Sequence, residues 1–578
     1  MYRSLAAGVS LLVGASVPAA ARSAYTIVVP ARSAGEYAFA AEEMRDHLQR
    51  IGGQELAIVT DDRGLPEKAI VLGPTRHAKR ALAGVDLAAL GRDGYVARTI
   101  DGRLFITGAG VTGTLNGVYS FLEQHMGCRW YTPDCTITPK QAALRLPKVD
   151  ETYNPVVKWR DVYYRAVGDD PAFALRLRLN GSAELIDGHP AKSASGFAGW
   201  GNWCHSLHSY VSPEQYFEAH PEYFAFRDGK RQPLQLCLTN PEVLRLTIES
   251  LGEKMRANPE AYIWDVSQMD GGGNCQCDEC KALDEREGGP MGTVLAFVNA
   301  IARAYPDMTI STLSYYYSQH ATKTIKPEPN VIIKLCAYGL PCHVPYEGNA
   351  FAETVRQWSA MCKRMCIWDY DINFAHLLAP HPNFRTMQPN LRFFIAHGVE
   401  SMFAQCNREV GGEWHELRAY VLAKLLWNPE CDADAVVDDF MAGYYGAAAE
   451  PIRRYFDTMH EELAASGKDL NLYCDPASHA EGFLRPELLD RYSGWFDEAE
   501  QLVADDAALL ARVRRARLPL MYAELYLKHG TPGKRLPLLT QFCDQCEADG
   551  IGLLSEIHTP PAEFRTKMTE AIKAEMGG

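Results

Sequence analysis

A chain of 578 residues is too long for one hydrophobic core, so roughly two to four domains are expected. Apolar and charged fractions of 47% and 22% are those of an ordinary globular protein and exclude a disordered chain. A formal net charge of −14, with no long basic run, argues against nucleic acid or an anionic membrane as a partner.

The chain opens like an export signal. Arg3 gives a positive start, Leu5 to Val17 is apolar and small, and Ala19-Ala20-Ala21 offers a cleavage site. Residues 1–21 therefore read as a signal peptide, the mature chain as starting near Arg22, and the protein as exported, periplasmic or secreted. No later segment is long and apolar enough to span a membrane.

Residues 22–150 read as a small α/β domain. Tyr25 to Pro30, Leu56 to Thr60 and Ala69 to Gly73 are strand-like. Gly35 to Ile51 places Ala38, Ala41, Met44, Leu48 and Ile51 on one helical face. Gly94 to Arg98 and Arg103 to Gly108 flank Asp101-Gly102, a strong hairpin signal. A helix over Thr114 to Met126 follows. Gly108-Ala109-Gly110 is only a partial phosphate-loop match.

Residues 151–430 alternate strand and helix. Strands are predicted at Val156 to Tyr164, Phe197 to His205, Tyr223 to Phe226 or Gln235 to Thr239, Ile263 to Asp270, Thr309 to Tyr316, Val331 to Tyr338, Cys366 to Asn373 and Ser401 to Cys406. Eight strands with intervening helices, such as Val294 to Ala302, predict a central (β/α)₈, TIM-like barrel. Residues 431–578 are helix-forming throughout and predict a C-terminal helical domain.

In a barrel, function gathers at the carboxyl ends of the strands. Asp270 ends the fourth strand and opens Gly271-Gly272-Gly273, which makes it the leading catalytic candidate. A turn aspartate capping the glycine loop is the plainer alternative. Glu413, after Gly411-Gly412, is the second candidate, with Glu409 as its loop alternative; an acid beside a helix N-terminus is also stabilised there with no chemistry. Asp369 is the third; alternation puts Asp371 on its face, either at the mouth or as a buried salt-bridge partner. Trp203, Tyr316, Trp368 and Trp414 are candidate platforms for sugar rings, and His205 for a sugar hydroxyl. A mouth rich in carboxylates and aromatics is the chemistry of a glycosidase.

Sixteen cysteines are many for an exported enzyme. Cys275-x-Cys277-x-x-Cys280 suits either a structural zinc, with a fourth ligand from Cys336, Cys342, His343 or His205, or a local disulfide. Cys543-x-x-Cys546 lacks partners and reads as structural. No cofactor is expected for catalysis.

These segments carry a family resemblance. Gly117 to Glu123 with Gly127-Cys128-Arg129-Trp130-Tyr131-Thr132-Pro133 resembles the close of the accessory domain of β-hexosaminidases and α-glucuronidases. His220 to Phe224, Gln235 to Asn240, Asp270-Gly271-Gly272, the Cys275 cluster, Trp368-Asp369-Tyr370, Leu417 to Tyr420 and Leu425 to Pro429 resemble a bacterial family long labelled as of unknown function. Part of it is glycoside hydrolase family 163. The resemblance implies an endo-β-N-acetylglucosaminidase that cuts the chitobiose core of N-glycans. It implies retention, with the substrate's 2-acetamido group attacking the anomeric carbon, one carboxylate orienting that group and another protonating the leaving sugar. Substrate-assisted hexosaminidases often carry near-adjacent acids on one strand; here Asp270 stands alone, with Asp265 five residues earlier. An exo-acting hexosaminidase or α-glucuronidase and a non-catalytic glycan-binding barrel are the alternatives. The partner is in each case a glycan or glycoprotein.

Overall fold

The computed structural model describes residues 22–193 and 196–577. The expected leader, residues 1–21, lies outside them. The chain forms two compact units: one runs to Cys128 and adds Thr138–Tyr153, the other comprises Arg129–Ile137 and everything from Asn154 onward.

The first unit is a six-stranded mixed sheet in the order Glu55–Thr60, Arg22–Val29, Ala69–Leu72, Arg103–Gly108, Tyr95–Ile100, Asp150–Tyr153. The expected hairpin closes at Asp101-Gly102 with φ of 49° and 75°, the left-handed pair that a two-residue turn requires. Helix Ala38–Gly52 buries Ala41, Met44, Leu48 and Ile51, its apolar face. Helix Val111–Ser120 continues as a π-turn over Phe121–His125.

The second unit is built on a curled, all-parallel sheet of seven strands in the order Trp200–Asn202, Ile263–Asp265, Thr309–Ser314, Val331–Cys336, Met365–Tyr370, Val399–Gln405, Trp159–Val162. Seven of the eight expected strands are there. The third is not: Phe224–Arg227 and Lys230–Leu236 pair antiparallel as a separate hairpin. Its turn is Asp228-Gly229, with φ of 49° and 74°. Among the described residues no ladder joins the two edge strands. Gly181 fills that place: its N–H donates to Arg160 O (2.9 Å) and its carbonyl accepts from Ala198 N–H (2.6 Å).

The inner face of the curl is aromatic, with Trp159, Trp200, Trp368 and Phe403 buried and Trp203 packed against them. Lys334 shares that face with Ile332 and Cys336 by alternation. Its ammonium lies 3.6 Å from the Trp203 ring centroid and 3.7 Å from Asp265 Oδ2. Asp265 also accepts from Ser206 (2.8 Å) and Ser311 (2.9 Å), so this buried charge is fully satisfied and structural.

The C-terminal helices belong to the same unit. Leu518, Leu525, Phe542, Cys543, Cys546 and Leu554 bury a common core with Leu378 and Ala379, which follow strand Met365–Tyr370. Burial of each such large side chain contributes about 1.5–3 kcal/mol. Loops between these helices are thereby brought over the mouth of the sheet. Glu556 N–H donates to Phe374 O (2.9 Å), and Phe374 N–H to Leu472 O (2.8 Å).

Candidate active site

Four strands end in one pocket. Leu313 and Tyr315, Cys336 and Tyr338, Trp368 and Tyr370, and Gln405 come from successive strand ends. Asp270 and His205 enter from the loops after Ile263–Asp265 and Trp200–Asn202, and Tyr473 and Glu556 from the loops between helices. This is the carboxyl end of a parallel sheet, where ligands are expected.

Asp270 is exposed at the pocket wall, with 72% of its side chain accessible to substrate and solvent. Tyr315 donates its hydroxyl to Asp270 Oδ1 (3.1 Å), and His205 Nε2 stands 4.0 Å from the same oxygen. His205 Nδ1 is 2.8 Å from Gln268 O, a pure acceptor, so Nδ1 carries the proton and Nε2 faces the pocket. His205 and Tyr316 both hold positive φ (49° and 53°), an uncommon strain in non-glycine residues that clusters at functional sites. Burial, then the charge of Asp270, pushes the Tyr315 phenol well up, so it stays a donor.

Glu556 faces this wall from the helical region. Its side chain is exposed at the pocket rim, and partial desolvation there, then the charge of Asp270, raises its carboxyl above the usual glutamate value. Burial and Glu556 in turn push Tyr473 up to about 12. Glu556 and Gln405 also line an adjoining cavity with Tyr163, Asn407, Arg408 and Glu409. Glu556 therefore stands where two cavities meet. Trp368 gives its ring to the first and donates Nε1–H to Gln405 Oε1 (2.6 Å). Another cavity, beside Tyr131 and Glu416, holds an acid already committed: Glu416 accepts from Arg515 at 3.2 Å.

The structure thus brings together Asp270, His205 and Trp368, and leaves Tyr316 55% exposed beside Tyr315. The other expected site residues lie elsewhere. Glu413 is buried as the ion-pair partner of Arg418 and accepts from His381 N–H (3.2 Å); burial pushes its carboxyl up to about 7 against the pull of that guanidinium. Asp369 and Asp371 do share a face, but the face is the outer one. Trp368 and Tyr370 take the inner side, so Asp369 accepts from Tyr346 (2.9 Å) in the layer behind the sheet. Asp371 is buried beside it, its carboxyl raised by burial and then by Asp369. Trp203 is packed against Phe197 (4.3 Å) and Trp159 (5.3 Å), with Lys334 on its ring. Trp414 is buried among Tyr445, Tyr455 and Phe456.

The three thiols after the glycine loop meet a fourth, Cys237, which follows the separate hairpin. The fourth ligands expected from the sequence are occupied elsewhere. Cys336 and His205 line the pocket, Cys342 approaches Leu340 O, and His343 accepts from Leu470 N–H (3.1 Å). Sequence reasoning missed Glu556, Tyr473 and Cys237. The Asp228-Gly229 turn was the available signal for Cys237; none marked the two loop residues.

Residues 130–457 match the family described as domain of unknown function DUF4838. That is more than half of the chain, which belongs to this family. No curated protein matches it. Among solved structures, a family GH115 4-O-methyl-α-glucuronidase with specificity for decorated arabinogalactans aligns at TM-score 0.55 and 12% identity, over 95% of this chain and 76% of that one. A GH138 enzyme targeting pectin rhamnogalacturonan II aligns at 0.45 and 11%, over 95% and 79%. A β-N-acetylhexosaminidase from Bacteroides fragilis aligns at 0.41 and 13%, over 72% and 88%. The first of these is a likeness of fold.

Proposed function

We propose that this protein is a glycoside hydrolase that works between Asp270 and Glu556, and that it cuts an N-acetylglucosamine-containing glycan internally. One observation carries the reading: two carboxyls, both open to solvent, line a single aromatic pocket at the strand ends. Glu556, exposed at the rim but raised by partial desolvation and then by the neighbouring negative charge, suits the acid. Asp270, open and receiving a phenol donor, suits the carboxylate that stabilises developing positive charge.

In this mechanism the Glu556 proton passes to the glycosidic oxygen as its bond to C1 breaks. The 2-acetamido oxygen of the substrate bonds to C1, and Asp270 holds the acetamido N–H and offsets the charge of the oxazolinium ring. Water, giving its proton back to Glu556, then opens that ring with retention. Trp368 offers a face to the sugar, and His205 Nε2 can accept a hydroxyl proton. Two cavities meeting at Glu556 favour a bond with sugars on both sides, hence internal cleavage. The family 163 resemblance narrows this to the chitobiose core.

The deciding experiment is incubation with an N-glycoprotein and mass analysis of both products. Expected are a free glycan ending in one N-acetylglucosamine and a protein keeping the other. Monosaccharide alone, or a glycan carrying both core sugars, refutes the internal cut.

A further inference from the structure

We propose that Cys237, Cys275, Cys277 and Cys280 bind a structural zinc ion, and that this ion fixes the loop bearing Asp270. The four sulfurs all lie within 4.8 Å of one another, and all four residues are buried. Cys237 Sγ is 3.7 Å from Cys277 Sγ and 3.9 Å from Cys280 Sγ. A tetrahedron with Zn–S bonds of about 2.3 Å has edges of about 3.8 Å. A disulfide would join only two of the four, at about 2.05 Å; every cysteine here is free.

The surroundings suit thiolates. Groups that can only donate point at sulfur: Phe226 N–H to Cys275 (3.3 Å) and the Arg231 guanidinium to the same atom (3.9 Å). Thr239 Oγ1 lies 3.2 Å from Cys280. Cys277 caps the N-terminus of helix Asp278–Glu287, where negative charge is stabilised. A zinc with four thiolates carries two negative charges, and Arg231 offsets one of them.

The local core also calls for a staple. The buried apolar cluster at the base of the hairpin consists of Ala225 and these four cysteines, with Phe226 packed on it. Phe224 and Leu236 of the hairpin are buried apart from this cluster, so at the thiols themselves the side chains available to hold the glycine loop to the hairpin are cysteines, the residue type that metals or disulfides join.

From the hairpin the grip passes to the site through Gln235. Its Nε2 donates to Met269 O (2.8 Å) and Gly272 O (3.2 Å), and its Oε1 accepts from Met269 N–H (2.9 Å). These contacts bracket Asp270 on both sides. Gly271 and Gly273, at φ of 78° and 101°, leave the loop little rigidity of its own. The metal site stands independently of the catalytic reading; its positioning role rests on that reading.

The test uses the untagged full chain, incubated with zinc sulfate, dialysed and analysed for metal. One zinc per chain is expected, released together with four thiols on titration with a mercurial. Cobalt exchange should give the intense visible bands of a tetrahedral tetrathiolate. Metal removal should raise hydrogen exchange over residues 224–237 and 269–280 and spare the sheet strands. Metal well below one per chain, or a disulfide among the four by peptide mapping, overturns the site. Cys237→Ser removes a buried ligand and so puts the local fold at risk, and Gln235→Ala therefore tests the second half. It should keep its zinc and its fold, with some loss of stability, while kcat of the folded protein falls about tenfold or more, the scale of a misplaced catalytic group. Unchanged kcat in Gln235→Ala overturns the positioning role and leaves the zinc standing. Zinc present with a fully active Asp270→Asn refutes the catalytic reading instead.

Discussion

Replacing Glu556 by Gln removes a proton and little else. The main chain at Glu556 is anchored to Phe374 O at 2.9 Å, so the amide should occupy the same wall of the pocket. A positioned acid contributes about 10²–10⁴-fold, which is about 3–5 kcal/mol of barrier at 1.36 kcal/mol per decade. The whole loss should appear on a natural glycan, whose leaving group is a sugar alkoxide. An aryl glycoside that departs as a stabilised phenolate needs no proton, so on it the variant should lose only a few-fold. The pH profile supplies an independent check. The raised pKa of Glu556 comes from partial desolvation and then from Asp270, and as the proposed acid it acts in its protonated form. The alkaline limb of wild-type kcat/KM should therefore fall as pH rises through that pKa. In Glu556→Gln this alkaline limb should vanish. In Asp270→Asn the neighbouring charge is gone, the pKa of Glu556 drops, and the limb should move to lower pH. Wild-type turnover of the glycan by Glu556→Gln refutes the assignment. So does an alkaline limb that stays in place in Asp270→Asn.

Asp270→Asn should lose roughly 10²–10⁴-fold in turnover on glycan and aryl glycoside alike, while uncut glycan still binds in calorimetry; rescue by the good leaving group would exchange the roles of the two acids. Tyr315→Phe deletes a 3.1 Å hydrogen bond to a carboxylate. Such bonds contribute about 1.5–3 kcal/mol, and the exposure of Asp270 puts this one at the low end, so kcat/KM should fall about tenfold; an unchanged value would detach Tyr315 from the site. Glu413→Ala leaves the Arg418 guanidinium buried without its partner. It should cost about 3–5 kcal/mol in chemical denaturation and leave the turnover of the folded fraction intact. A stable but inactive Glu413→Ala would return that residue to the chemistry.

The strands were legible because buried parallel strands are written as short apolar runs: Val331 to Tyr338 contains strand Val331–Cys336, and Cys366 to Asn373 overlaps strand Met365–Tyr370. What an apolar run does not state is which side faces in. Asp369 and Asp371 alternate with Trp368 and Tyr370, and a period of two leaves both assignments open. The bulky rings took the inner face, and the acids went behind the sheet. Asp270 was legible for the opposite reason: it opens a glycine run, and although its strand stops at Asp265, the loop that follows a parallel strand lies at the mouth by topology alone. The misread third strand had its own signal. Asp228-Gly229 repeats the dipeptide of the correctly expected Asp101-Gly102 turn, and Asp187-Gly188 makes a third such hairpin.

Glu556 and Tyr473 were beyond any local reading, and the reason is physical. Each sits in a break between helices that has no periodicity of its own, and each is placed by hydrogen bonds and packing more than 95 residues away in sequence: Asn373 Nδ2 donates to Cys474 O at 2.6 Å with a separation of 101 residues. The family match ends at residue 457, before both. The match therefore covers the sheet and Asp270 but neither of the groups that set the far wall of the pocket. Two chains could share the whole matched segment and still differ in their acid, so chemistry cannot be transferred across the family on the sheet alone. On the proposed mechanism, the residue that decides transfer is the one in the loop before helix Pro561–Gly577, where Glu556 stands.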